Sequence, residues 1–499
     1  MKSIFYGAFS VFIACLAAVS SLAEVRVPTL IGNHMVIQRD QPVHIWGNAD
    51  PNESISISFR GESANTKPDE YGRWSVYLPP VTAGGPYELV IRGTNTIIIK
   101  DVLVGDVWVA SGQSNMGFNV ARVDHAEAEL AAADQPELRL FHVQQNASDY
   151  PLDDALGASW QACSPETVRD FSAVAYFFGR KIQDDQKVPI GIVEAAYGGP
   201  AEAWMSLEVL GRDASLMPLF EARAQLTEDE TSLVLRDNIW QHLVRVAKAM
   251  GNPLPPPPPP RAGLALFGPA NLYNAMIAPL TPMRIRGVIW YQGESSADPV
   301  RAPYYHRLLQ TLIEDWRTHW AEGDMPFVVV QLANFGGGDP NAWALVRDAQ
   351  LKSVSIRNVG LAVTNDIGNP ADVHPTDKQD VGARVALVAR AIAYGEPVKY
   401  SGPLLSTATL IQNRVCLTFD GTADGLILRN ERPNDFEIAG SDGIFMPAQV
   451  TIQGDDIFLS NAQIETPVRV RYGGYHGLPG TLFNGDGLPA AAFIANIAH

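Results

Sequence analysis

A serine can attack an ester carbonyl when a neighbouring base takes its proton, a carboxylate orients that base, and hydrogen-bond donors wait for the charge that builds on the carbonyl oxygen. The 499-residue chain holds candidates for each role. Ser114 lies in Gly112-Gln113-Ser114-Asn115-Met116, directly after an apolar run. The pentad alone says little, because Ser-Asn after glycine also makes a good turn or N-cap. Further along, Asp366-Ile367-Gly368-Asn369-Pro370-Ala371-Asp372-Val373-His374-Pro375 places two carboxylates and a histidine in one loop. Imidazole accepts a proton near neutral pH. Asp372, two residues before His374, is the expected orienting acid, and Asp366 is the reserve. Tyr197-Gly198-Gly199-Pro200 follows a second apolar run, where glycine lets a backbone N–H approach a ligand. Trp290-Tyr291-Gln292-Gly293-Glu294-Ser295 follows a third and brings an amide side chain, Gln292. Each segment taken singly reads as a tight strand-to-helix turn. All four at the ends of buried strands are what one site at one sheet edge requires.

The elements that must position them alternate between strand and helix. Val102-Leu103-Val104 and Val107-Trp108-Val109-Ala110 read as a buried central strand, and further apolar runs span 189–196, 285–291, 327–332 and 359–364. Helical stretches are expected at 173–184, 304–320 and 379–393. This pattern predicts an α/β fold with a central parallel sheet and helices on both faces, whose ligands gather at the carboxyl ends of the strands. Before it, residues 24–105 read as short strands broken by turns, a β-sandwich-like module. After it, residues 396–499 read as strands again, either a second β module or the partner half of the first. The catalytic unit is thus expected over 106–395, interrupted at about 207–262 by a polar, helical insertion with a proline run at 255–260 that suits an extended surface spacer.

Composition narrows the function. With 37 Lys+Arg against 54 Asp+Glu the formal charge is −17, and 46% of residues are hydrophobic. A disordered chain is excluded, and a nucleic-acid partner is not expected, because phosphate neutralisation needs clustered cations. Lys2, the apolar stretch 4–19 and Ser21-Leu22-Ala23 form an export signal over 1–23, so the protein is expected in the periplasm or outside the cell, with no membrane span in its mature form. Cys15 falls in that signal; Cys163 and Cys416 are expected to be buried thiols rather than a bridge. The ten histidines show no zinc-protease spacing, and neither a metal nor an organic cofactor is expected.

The segments resemble the conserved blocks of the SGNH hydrolase superfamily, and within it the sialate O-acetylesterase-like carbohydrate esterases. The likeness runs from Asn33-His34-Met35-Val36-Ile37-Gln38-Arg39 through Gly105-Asp106-Val107-Trp108 and Ser111 to Met116, then Gly198-Gly199 with Glu202-Ala203-Trp204, Trp290 to Ser295, and Asp372-Val373-His374-Pro375. It implies a flavodoxin-like three-layer domain. Ser114 would be the nucleophile, His374 the base and then the acid, and Asp372 the orienting carboxylate. The Ser114 N–H, a glycine N–H (Gly199, or Gly198) and the Gln292 side chain would hold the oxyanion. Glu202, Trp204 and Glu294 would meet the substrate, an acetylated carbohydrate. Glutamine precedes the serine where the wider superfamily has aspartate, and Ala371 stands where it places its acid. The alternatives are a carbohydrate-binding protein without activity, and an esterase or lipase for non-sugar esters.

Overall fold

The computed structural model describes residues 24–219 and 268–498 apart from 156, 158, 430–434 and 474–476, together with 240, 242–248, 250 and 254. The expected signal 1–23 with Cys15, and much of the insertion including the proline run 255–260, lie outside the described residues.

The first strands are β1 (Val36–Gln38), β2 (Val43–Asn48), β3 (Ile55–Phe59), β4 (Glu62–Thr66), β5 (Arg73–Leu78), β6 (Gly84–Arg92) and β7 (Thr96–Gly112). β2 alternates buried and half-buried residues, and β5 pairs with it antiparallel. β1, β3, β4 and β6 form a second sheet on the first half of β7. The boundary expected at 105/106 falls inside β7, which runs unbroken for 17 residues. Gly105-Asp106, between the two apolar runs, is paired strand in the structure. A Cβ on Gly105 would lie 1.9 Å from the Pro189 carbonyl oxygen, so only glycine fits. Asp106 is fully buried yet accepts from Arg39 Nε at 2.9 Å and Nη2 at 2.8 Å and from Gln38 Nε2 at 3.1 Å. Paired this way, a charge is tolerated in a strand interior.

The second half of β7 is the centre of the main sheet. With β8 (Gln135–His142), β9 (Trp160–Cys163), β10 (Ile190–Ala196), β11 (Gly287–Tyr291), β12 (Phe327–Gln331) and β13 (Val359–Val363), the strand order is β13-β12-β11-β7-β10-β8-β9. All neighbours are parallel except the edge strand β9. β10 to β13 are buried at every position, as strands with covered faces must be. Helices Ala173–Gln186 and Lys378–Ile392 pack together, the latter also against β13, and Tyr305–Trp320 packs on Pro340–Lys352. The Trp290 ring meets Trp204 edge-on at 6.0 Å and Trp316 at 5.6 Å. Pairs of this kind add about 0.5–1.5 kcal/mol each beyond burial, and these pin the end of β11.

Among the described residues the C-terminal strands do not pair with the N-terminal ones. They form their own antiparallel sheets, including Leu404–Ile411, Arg414–Asp420, Gln449–Gln453 and Asp456–Ser460, around a separate apolar cluster with Val415, Ile438 and Tyr472. Their last segment grips the main sheet: Gln331 Nε2 donates to the Ala492 carbonyl at 3.0 Å, and Asn365 Nδ2 to that of Ala490 at 2.9 Å. Cys163 and Cys416 are free and buried. No helix among the described residues is long and apolar enough to cross a membrane.

Candidate active site

β7, β10, β11 and β13 are parallel, so the segments after them emerge at one edge of the sheet. In register, Gly112 of β7 faces Ala196 of β10 on one side and Tyr291 of β11 on the other. Gly112 has φ +141°, and a Cβ there would lie 2.1 Å from the Tyr291 carbonyl oxygen, so glycine alone permits the turn into Ser114. Ser114 is exposed between buried neighbours.

Ser114 and His374 meet. The distance from Ser114 Oγ to His374 Nε2 is 2.8 Å, across 260 residues of sequence. Desolvation holds the imidazole below the ordinary histidine range; Asp372 opposes that shift, while Lys378 and Arg122 add to it. The ring therefore rests neutral at pH 7, able to take a proton. Asp372 Oδ1 accepts the His374 backbone N–H at 2.9 Å and lies 3.5 Å from Nδ1, with a side chain 59% exposed. The reserve acid, Asp366, is spent elsewhere: Arg384 holds both its oxygens, at 2.6 and 2.8 Å. Of the two aspartates, only Asp372 faces the histidine.

The expected oxyanion donors divide. The backbone N–H groups of Ser114, Gly198 and Gly199 donate to no protein acceptor among the described residues. Gln292 does not join them. It is fully buried, its Nε2 donates to the Gly199 carbonyl at 3.2 Å and lies 3.1 Å from Ser296 Oγ, and its Oε1 accepts from Tyr305 at 2.9 Å. An amide with both ends engaged inside the protein braces the glycine loop from behind; it does not face a substrate.

The residues expected to touch substrate are also turned inward. Trp204 is fully buried, and its carbonyl accepts from Trp316 Nε1 at 2.8 Å. Glu202, 5% exposed, accepts from Arg301 Nε at 2.7 Å. The short helix Ala201–Trp204 is buried throughout, which is why neither side chain reaches the opening. Glu294 directs its carboxylate to Asn115 Nδ2, 2.5 Å away. Sequence reasoning missed the residues beneath the pair: Asn115, Lys378, and Gln113, whose Oε1 accepts from Ser295 N at 3.1 Å. Asn115 and Gln113 lay within the quoted motif, so their place beside the serine was the available signal. Lys378, at a helix start, offered none. No group of three or more histidine, cysteine, aspartate or glutamate side chains that could hold a metal occurs among the described residues.

A largely parallel α/β sheet with a hydrogen-bonded serine and histidine at its carboxyl edge defines a class of α/β proteins with the parts for nucleophilic chemistry by serine. Comparison with known proteins gives the family. A family model described as carbohydrate esterase, sialic acid-specific acetylesterase, matches residues 263–390. Sialate O-acetylesterase from Mus musculus is 31% identical over 98% of this chain and 98% of its own length, and that from Homo sapiens 30% over 78% and 75%. The crystal structure of a carbohydrate acetylesterase from Xanthomonas citri, 36% identical, matches with a TM-score of 0.81 over 95% of this chain and 99% of that one. The chain belongs to the sialate O-acetylesterase-like carbohydrate esterases.

Proposed function

We propose that this protein is an exported serine O-acetylesterase that removes acetyl groups from sugar hydroxyls. The 2.8 Å contact between Ser114 and His374 carries the reading. As Ser114 Oγ attacks the acetyl carbonyl, His374 Nε2 takes its proton, and the carbonyl oxygen gathers negative charge against the unused N–H groups of Ser114 and the Gly198-Gly199 loop. Collapse breaks the bond to the sugar oxygen, which leaves as the alcohol with the proton from His374. Water, giving a proton to the same imidazole, then attacks the acetyl-serine; His374 returns that proton to Ser114 Oγ as the ester bond to it breaks and acetate leaves. Asp372 steadies the imidazolium from the solvent side. No cofactor enters these steps.

The signal over 1–23 supports export. The substrate class follows from the family: an O-acetylated sugar, with acetylated sialic acid first because the relatives carry that name, and acetylated xylan and xyloglucan beside it because a charge of −17 does not attract an anionic sugar. Acetate release by the mature protein from these three substrates and from long-chain esters tests the reading. Release from an acetylated sugar is the expected result; activity confined to long-chain esters overturns it.

A further inference from the structure

Asn115 follows the nucleophile but points the opposite way. It is 2% exposed, and both ends of its side chain are engaged. Its Nδ2 donates to Glu294 Oε1 at 2.5 Å and to the carbonyl of Val373, the residue before His374, at 2.9 Å. Its Oδ1 accepts from Lys378 Nζ at 2.6 Å. Lys378 is fully buried, with its ammonium over the rings of Phe118 at 5.0 Å and Tyr291 at 5.4 Å. Phe118 in turn stacks on the His374 ring at 6.3 Å. The second oxygen of Glu294 is buried without a hydrogen-bond partner among the described residues.

A basic and an acidic side chain thus sit at the two ends of one amide instead of touching. Neither is well solvated there: burial pulls Lys378 down to about 7 and pushes the Glu294 carboxyl up, and attraction across the amide opposes both shifts. Separating buried charges costs stability, so the arrangement calls for a return elsewhere. The amide supplies one. Hydrogen bonds to ionised groups are the strong, short kind, and two of them polarise and hold the side chain whose remaining arm grips the histidine loop.

We propose that the Lys378–Asn115–Glu294 bridge is the positioning device of the site, locking the nucleophile loop to the histidine loop so that Ser114 and His374 stay at reacting distance. The proposal rests on the Ser114–His374 mechanism above. Asn115, Lys378 and Glu294 are positioning residues, acting through the backbone they hold. A misplacement of about 1 Å between reacting groups can cost on the order of 10²-fold in rate, which sets the scale of the effect.

The test compares kcat and KM for 4-nitrophenyl acetate in the wild type, Lys378→Met, Glu294→Gln, the double variant Lys378→Met/Glu294→Gln and Ser114→Ala, with thermal unfolding as the check on folding. Lys378→Met should lower kcat roughly 10- to 100-fold with KM within about threefold, and Glu294→Gln, which keeps an acceptor for Asn115, by less. Removing one buried charge strands the other, so a single variant that fails to fold is expected to be rescued by the double, which buries neither. The double should lose about as much kcat as Lys378→Met alone, because the bridge that Glu294→Gln only weakens is already broken. A folded double variant with wild-type kcat, or losses confined to KM, overturns the bridge. Wild-type rates in Ser114→Ala overturn instead the mechanism on which it rests.

Discussion

The two sides of the Ser114–His374 pair are built differently. Toward solvent stand Ser114, exposed, and Asp372, 59% exposed and 3.5 Å from the nearer imidazole nitrogen of His374. Toward the protein lie Asn115, Gln292 and Lys378, all buried, and Glu294, half-buried with one carboxylate oxygen out of solvent, with contacts of 2.5 to 3.2 Å. The open side is loosely tied, and the inner side holds its loops through several short hydrogen bonds. Geometry here is set from below. In a serine site with a buried acid, the carboxylate does much of the orienting; on the mechanism proposed for this site, backbone restraint from the inner side takes over part of that work.

The comparison can be broken by substitutions on either side. Ser114→Ala removes the bond-forming atom and should lower kcat by about 10⁴-fold or more, read as acetate release. Gln292→Ala comes next: it frees the Gly199 carbonyl and leaves a cavity under the loop, so a loss of about 10²-fold in kcat with a lowered melting temperature is expected. Asp372→Asn should cost less, about tenfold or under, where a buried orienting aspartate is worth on the order of 10⁴. A 10⁴-fold loss at Asp372 would reverse the ranking of the two sides. The smallest effect is on pH. His374 must be neutral to act as base, and desolvation lowers its pKa, so kcat/KM rises with pH through a midpoint below the ordinary histidine value and is flat above it until other groups titrate. A midpoint above that value would mean that Asp372 dominates the imidazole after all.

The same contrast explains what could be read from sequence. Ser114, His374 and Asp372 sit where apolar strand runs stop, and runs such as 190–196 and 287–291 are plain because parallel strands covered on both faces are apolar throughout. Strand β8 does not show as an apolar run, because Gln135, Glu137 and Arg139 interrupt it, and Arg139 is buried with its guanidinium held by Asp101 and the Pro136 carbonyl. The direction of polar side chains was also hidden. Gln292, Glu202, Trp204 and Glu294 lie on the right segments, but whether each faces substrate or protein depends on partners such as Tyr305, Arg301, Trp316 and Asn115, which only the fold brings near. Lys378, at the first turn of a helix, reads as a solvent lysine. Long-range partners put it in the interior.

The most direct test of the central claim is covalent. Treating the mature protein with a fluorophosphonate and mapping the modified peptide should place the label on Ser114, with acetate release falling in proportion to labelling. Full acetylesterase activity in protein labelled at Ser114, or inactivation with the label on another serine, would contradict the account.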